Sequence, residues 1–354
     1  MKIICIGKGN DPRCLGGIET FERVLGRIFK DDIKFYVYNS NKEYLFQVEN
    51  NIKNIQNPIS LKEKIFLKVL GKTRYTSYKV KKENPDLVII NKPKDLRMLK
   101  GGNFKKVLIQ HGDLETYKKG PFASKDVIEL IQKELDYYIF LSDNSKELFL
   151  NFFKLNKNQG ITIRHSCEVE LLENKEKIKN KKLIIISRIE NNQKRIDLAI
   201  KAMKKLPDFT LDIYGDGPHK EMLEQIVIEE GLEERVFFRG KTTKIKEVLD
   251  KSSIFIMTSD REGYGITNIE AMTRGLPIIL RNTFELAPDI VQNNGILLEK
   301  EWDEDKFVEA VYKVYENYEY YSKNSIEMGK RHTFEVIKNK WLEFIRRSED
   351  EKIN

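Results

Sequence analysis

Two carboxylates eight positions apart frame the densest chemistry in the chain: Glu262-Gly-Tyr-Gly-Ile-Thr-Asn-Ile-Glu270, running on through Ala271-Met272-Thr-Arg-Gly275-Leu-Pro277. Glu262 stands in a turn with Gly263, Tyr264 and Gly265, and Glu270 falls inside the helix expected to follow. The N–H groups of Ile266 and Thr267 would open that helix, where donors are unpaired and roughly half a positive charge collects. Such a start can hold a phosphate or hydroxyls, and glycines let the backbone come close at positive φ. A two-oxygen carboxylate on the second turn suits a ribose diol. A Glu near a helix start also helps any helix, so the turn, the glycines and both acids count together.

Other points along the chain fit the same kind of ligand. Arg188 follows the apolar run Leu183–Ser187, and Lys194 is expected to open the helix marked by Ile196, Ala199, Ile200 and Met203. A planar fork and a point charge complement each other on paired phosphates, although isolated Arg and Lys residues are more often simply solvated. His111 follows Val107–Gln110 and precedes Gly112 and Asp113. A neutral imidazole there could contact a sugar, or hydrogen-bond within the fold. Gly16 and Gly17 follow the first apolar run, where a tight turn permits close approach of sugar or phosphate. Tyr214-Gly215-Asp216-Gly217-Pro218 and Arg239-Gly240 end two further runs and could line a base pocket or be ordinary turns. His165, His219 and His332 are not grouped with carboxylates at metal-ligand spacing, so neither a metal nor a cofactor is expected.

The elements that must position these residues read as two strand–helix series. Apolar, β-rich runs come at Ile3–Gly7, Ile33–Asn39, Asp86–Asn91, Val107–Gln110, Tyr137–Ser142 and Ile161–His165. Near-continuous Val, Ile, Leu and Tyr content suits parallel strands covered on both faces. Helical spacing of Ile18, Phe21, Leu25 and Ile28, and later of Val127, Ile128, Ile131 and Leu135, fills two of the gaps. A polar stretch from Glu168 to Lys182 reads as an interdomain linker. The second series is Leu183–Ser187, Phe209–Gly215, Val236–Arg239, Ile254–Thr258, Ile278–Leu280 and Ile296–Leu298. The expectation is an α/β chain with domains at 1–168 and 169–330. A final helical segment, 331–354, carries the stripe Ile337, Trp341, Phe344 and Ile345. Ligands of doubly wound sheets bind beyond the carboxyl ends of strands, where Ser187-Arg188, Tyr214-Gly215, Arg239-Gly240 and Thr258-Ser259 all fall.

Taken in order, Gly16-Gly17-Ile18-Glu19, Gln110-His111-Gly112, Ser187-Arg188 with Lys194, the Tyr214–Pro218 and Val236–Gly240 turns and the Glu262–Pro277 block resemble the GT4 group of retaining glycosyltransferases. The resemblance implies the GT-B architecture, two Rossmann-like doubly wound domains facing each other across a cleft, with the last helix packing back on the first domain. It implies that Arg188 and Lys194 grip the phosphates of a nucleotide-diphosphate sugar, with a UDP-sugar favoured. Glu262 would bond the transferred sugar near the reacting carbon, and Glu270 the ribose hydroxyls. Retention would follow by front-face transfer, the departing phosphate taking the proton of the acceptor. That acceptor would be a cell-surface glycan, polymer, lipid or glycoprotein. The family usually has Gly straight after the lysine, whereas Arg195 stands here, and its role stays open. The alternative is a non-catalytic GT-B subunit that binds acceptor and stabilises a partner transferase. Its mark would be erosion of Glu262, Arg188 or Lys194, and all three are present.

Bulk composition is compatible with this. A chain of 354 residues suits two domains, and 33% charged residues argue for a solvated surface. No run approaches the roughly 20 apolar residues a spanning helix needs. No signal peptide is expected ahead of Lys2–Gly7, and Cys5, Cys14 and Cys167 match no disulfide or metal framework, so a cytoplasmic protein is expected. The net charge of +8 raises the question of an anionic partner. Between 59 and 82, Lys62, Lys64, Lys68, Lys72, Arg74, Lys79, Lys81 and Lys82 face a lone Glu63, interleaved with Ile59, Leu61, Ile65, Phe66, Leu67, Val69, Leu70 and Tyr75. Such a helix could lie on an anionic membrane at the inner face of the plasma membrane. An ordinary amphipathic helix flanking a sheet has the same composition. Nucleic acid is not expected, since no zinc, helix-turn-helix or RNP-type signature appears.

Overall fold

The computed structural model describes residues 1–7, 10–37, 44–48, 51–54, 60–119, 124–173 and 179–350. The chain divides into two compact units, Met1–His165 and Ser166–Asn354. In the first, strands β1 (Ile3–Gly7), β2 (Ile33–Val37), β3 (Asn51–Asn54), β4 (Leu87–Ile90), β5 (Lys105–Ile109), β6 (Tyr137–Phe140) and β7 (Gly160–Thr162) form one parallel sheet. Their spatial order is β3-β2-β1-β4-β5-β6-β7. The central strands β1 and β4 are buried at every residue, which is why β4 is unbroken Leu, Val and Ile and β1 departs from Ile only at Cys5 and Gly7. A core of Ile4, Ile6, Val88, Leu108, Tyr138 and Phe149 fills the space beneath the flanking helices.

The apolar runs foresaw each of these strands except β3. Asn51-Ile-Lys-Asn54 has a single apolar residue, so no hydrophobic pattern marks it. It lies at the sheet edge and pairs in register with Lys34–Val37 of β2 through backbone bonds, which any sequence can supply.

The second unit holds β8 (Lys182–Ile186), β9 (Thr210–Tyr214), β10 (Val236–Gly240), β11 (Ile254–Met257), β12 (Ile278–Arg281) and β13 (Gly295–Leu298), all parallel, in the order β10-β9-β8-β11-β12-β13. The polar segment after His165 is bonded to this unit. The Leu172 N–H donates to the Thr273 carbonyl at 2.8 Å and Arg274 Nη1 to the Glu170 carbonyl at 2.8 Å. Residues 174–178, within the expected linker, lie outside the described residues. The stripe of the last helix, Phe334–Asp350, is buried at Ile337, Trp341, Phe344 and Ile345.

One packing contact positions the helix that carries Glu270. The Tyr318–Lys330 helix lies against the Ile266–Thr273 helix through small residues. Ser322 and Ser325 hydroxyls donate to the Gly275 and Leu276 carbonyls at 2.7 Å each. A Cβ at Gly329 would come within 2.9 Å of Thr273 Cα, so the backbones touch there. Gly329→Ala is expected to destabilise the fold by about 1–3 kcal/mol. This outweighs the gain of about 1 kcal/mol in helix propensity. Urea titration checks it, and a stabilised variant would show that the two helices are not in register as described.

Candidate active site

The exit of β8 is clamped by backbone alone. Ser187 N–H donates to the Tyr214 carbonyl at 3.0 Å, Ile189 N–H to Asp216 at 2.9 Å, and Gly215 N–H to Gly240 at 2.9 Å. Gly215 sits at φ 139°, and a Cβ there would lie 1.8 Å from the Ser187 carbonyl oxygen. Gly217 is equally constrained, its notional Cβ 2.3 Å from the Ile189 oxygen. Glycine is therefore required by the close approach, and the turn after β9 presses against the residues around Arg188. The Arg188 side chain is 69% exposed, with Nη2 3.6 Å from Glu190 Oε2. Arg239 is committed elsewhere: its Nε donates to Asp212 Oδ1 at 2.6 Å and its guanidinium lies over Phe237. Gly240 beside it takes φ 72°.

Lys194 does not open the helix behind it, as its spacing suggested. It closes the one-turn helix Asn191–Lys194, and Arg195 intervenes before Ile196–Ala202. Arg195 adopts the left-handed conformation, φ 48° and ψ 43°, which costs a non-glycine residue roughly 1 kcal/mol. This accounts for the glycine at the corresponding place in the resembling family. The Arg195 side chain bonds Asp197 at 3.2 and 3.3 Å and Asp260 Oδ2 at 3.4 Å, which ties it into the fold.

The reversal at Arg195 brings the Lys194 ammonium onto Glu262 Oε1, with side-chain exposures of 15% and 8%. Ser259 Oγ donates to the same carboxylate oxygen at 2.8 Å. The loop that bears Glu262 is held from three sides. Thr258 Oγ1 donates to the Lys194 carbonyl at 3.1 Å, Asp260 N–H to Gln193 O at 2.8 Å, and Gln193 Nε2 to Arg261 O at 2.9 Å. From β12, Arg281 Nη1 donates to Thr258 O at 2.9 Å and Asp260 Oδ1 at 2.6 Å. Thr283 Oγ1 bonds the Ser259 carbonyl at 2.6 Å. A cation and a carboxylate are thus fixed together at the carboxyl ends of β8 and β11.

Gly263 continues this loop, and Gly265 ends it at φ 69°, preceding the Ile266–Thr273 helix. No side chain caps that helix, so its leading N–H groups, those of Ile266 and Thr267 among them, lack intrahelical acceptors. Glu270 is 7% exposed on the second turn. Burial, together with the negative charge of Glu270, raises the Cys167 thiol to about 12, so Cys167 is an inert neighbour of that carboxylate. The Tyr264 side chain is buried, its hydroxyl 3.4 Å from His332 Nε2. Gly275, at φ 72°, ends the helix, and Leu276 N–H bonds the Ala271 carbonyl at 2.9 Å.

In the first unit, Gly16 precedes the Gly17–Phe29 helix at φ 155°, where a Cβ would meet Glu19 Oε2 at 2.2 Å. His111 packs beside the rings of Phe21 and His165, with centroids at 5.3 and 5.4 Å, and those two rings are 4.7 Å from each other. Its Nε2 is 2.9 Å from Asn91 Oδ1, while Asn91 Nδ2 donates to Glu22 Oε1 at 2.8 Å. With the amide nitrogen committed to Glu22, its oxygen faces the imidazole, which requires the Nε2–H tautomer. Loss of hydration, with Lys92 nearby, pulls the His111 pKa down to about 3, so the ring is neutral at working pH. Glu22 is also buried, and desolvation plus the charges of Glu19 and Asp11 hold its carboxyl well above the usual range.

Residues 169–331 match the family model for glycosyl transferases group 1. The match lies wholly within the second unit. The GtfA subunit of the UDP-N-acetylglucosamine–peptide N-acetylglucosaminyltransferase of Streptococcus pneumoniae is 29% identical over 153 residues, covering 41% of this chain and 30% of that protein. The poly(glycerol-phosphate) alpha-glucosyltransferase of Bacillus subtilis is 27% identical over 161 residues, covering 43% of this chain and 24% of its own length. The chain thus spans less than a third of either relative. Anabaena HepE, solved in complex with UDP and glucose, superposes at a TM-score of 0.79 and 15% identity, over 98% of this chain and 99% of that one. The fold is GT-B, with a Rossmann-like sheet in each unit.

Sequence reasoning placed Glu262, Lys194, Gly265 and Glu270 on one unit, and the structure brings Lys194 into contact with Glu262. It missed the residues that hold them. Ser259 stood at the end of a recognised run, and Arg281 is a cation closing an otherwise apolar strand. Asn91 likewise ended a run, and Glu22 is a carboxylate beside Phe21 on the core-facing stripe of its helix. Each was visible as a polar residue where the pattern calls for an apolar one.

Two measurements test these contacts. Arg195→Gly removes both strain and ion pairs, whereas Arg195→Ala removes the pairs and keeps the strain. The glycine variant should therefore be the more stable of the two by about 1 kcal/mol in thermal or urea melts. Equal stability would show no left-handed strain at this residue. For His111, a folded pKa of about 3 against 6.5 means the unfolded chain binds more protons between those values. The stability from keeping this ring neutral is complete above about pH 6.5 and is lost as pH falls toward about 3. His111→Gln should flatten that part of the stability–pH curve, and an unchanged slope would mean the ring is well hydrated.

Proposed function

We propose that the protein is a retaining, metal-independent hexosyltransferase that uses a nucleotide-diphosphate sugar, a UDP-sugar by preference. Its acceptor is a cell-surface polymer, glycan, lipid-linked sugar or protein. The observation that carries this reading is the Lys194–Glu262 pair, fixed at strand carboxyl ends beside an uncapped helix start and a buried second-turn carboxylate. The UDP-N-acetylglucosamine used by the pneumococcal relative, and the UDP and glucose held by HepE, support the donor class.

In this reading the donor diphosphate lies against Lys194, Arg188 and the Ile266 and Thr267 amides, and Glu270 accepts from the ribose diol. As the anomeric C–O bond to the diphosphate breaks, charge grows on the leaving oxygens, and the fixed cations and helix start stabilise it. The acceptor oxygen bonds the anomeric carbon on the same face and passes its proton to the departing phosphate. Glu262 orients the sugar, and Ser259 and Lys194 hold that carboxylate in place. In the first unit, neutral His111 donates from Nε2 to Asn91. Gly215 and Gly240 give backbone access to the base within the second unit, and Gly16 and Gly17 offer the same freedom at the first helix of the first unit.

Incubation with UDP-glucose, UDP-N-acetylglucosamine, UDP-galactose and GDP-mannose, with UDP or GDP release measured, tests the donor class. NMR of the product anomer tests retention. Glu262→Gln and Lys194→Met are each expected to lower turnover by roughly two to three orders of magnitude with the fold intact. Near-normal transfer by both variants would overturn the assignment. Donor binding without transfer to any acceptor would point instead to a non-catalytic subunit.

A further inference from the structure

The helix Leu61–Glu83 of the first unit turns an apolar crest to solvent. It breaks at Gly71 (φ 72°, ψ 164°), which leaves its leading part as a short helix of its own. At 100° per residue, Leu61, Ile65 and Val69 fall within about 80° of one another. These three are 75%, 55% and 76% exposed. On the opposite side, Leu67 and Leu70 pack against the core of the unit, and Glu63 turns the same way to pair with Lys79. A helix flanking a sheet normally presents charge at its outermost line. Here that line is aliphatic, and the exposed lysines stand beside it: Lys64 and Lys68 on one flank, Lys62 on the other.

We infer that this face docks the protein in the plane of an anionic lipid bilayer, with Leu61, Ile65 and Val69 in the acyl boundary and the flanking lysines at the phosphate level. The argument is charge complementarity joined to shape. Lysine stems can lie along an apolar surface while their ammonium groups reach outward to headgroups. An interfacial helix combines such a face with a basic rim. From Ser60 to Lys82 the chain holds eight cations against one carboxylate, and that carboxylate is already paired. No described helix is long and apolar enough to cross a membrane, so attachment through this element is lateral. The inference is independent of which sugar is transferred, since docking needs no donor.

Flotation of the full chain with phosphatidylcholine vesicles, with and without phosphatidylglycerol, tests it in the absence of nucleotide sugar. Binding is expected only with the anionic lipid and should weaken as salt is raised. Leu61→Ser/Ile65→Ser/Val69→Ser should lower partitioning at least tenfold. Lys62→Gln, Lys64→Gln and Lys68→Gln should each lower it roughly fivefold. All these positions are exposed, so thermal melts should be unchanged. Ile65→Trp supplies a second readout: its emission should shift to shorter wavelength on anionic vesicles. Equal binding by the apolar triple variant, or no shift at Trp, would overturn the proposal. So would a wild-type dimer in solution that the triple variant abolishes, which would make the face a contact between copies. Loss of transferase activity with vesicle binding intact would count against the enzymatic reading alone.

Discussion

An ammonium and a carboxylate held almost out of water govern this architecture. A charge removed from solvent is tolerated only when it is matched and further hydrogen-bonded, and Lys194 and Glu262 satisfy that for each other. The match depends on two loops from different strand ends meeting within bonding distance. That is why Thr258, Ser259, Asp260 and Arg281 are tied to residues 193–195 and 283 rather than left to solvent. Even the strained backbone at Arg195 follows from it, since the chain must reverse immediately after Lys194 to deliver the ammonium. Docked phosphates would meet a cation whose position is already fixed, so little reorganisation remains for the reaction itself.

The helix start at Gly265 is preorganised by different means. Its far end is closed by Gly275 and braced by Ser322, Ser325 and Gly329 from a helix more than forty residues away in sequence. Small residues do this because only they let two helix backbones come within touching distance. The turn against β8 follows the same rule, with Gly215 and Gly217 removing the side chains that would hold it off. The candidate site in this unit is therefore shaped largely by backbone groups, and side chains supply charge at a few points.

Much of this was legible. Buried parallel strands are written as near-continuous apolar runs, so all but one of the strands could be read, and strand ends pointed to the Lys194–Glu262 neighbourhood. β3 was illegible because an edge strand with one apolar residue is specified by its neighbour's backbone and not by its own side chains. The place of Lys194 was misjudged by a few residues because helical spacing after it is strong, while a single left-handed residue leaves no periodic trace. The apolar crest of the Leu61–Glu83 helix was half legible. Composition gave a basic, apolar segment, but only the structure separates Leu67 and Leu70, facing the core, from Leu61, Ile65 and Val69, facing out.

The Asn91 amide deserves a last consideration because its two ends have nearly the same outline. Nothing steric tells oxygen from nitrogen at that site, and the choice is made by Glu22, some seventy residues earlier. An apolar residue at 22 would leave only the Cys5 sulfur, 3.8 Å from the nitrogen, to orient the group, and His111 would then populate both proton placements. A lineage that lost this acid could keep its shape intact and yet blur the electronic identity of one ring.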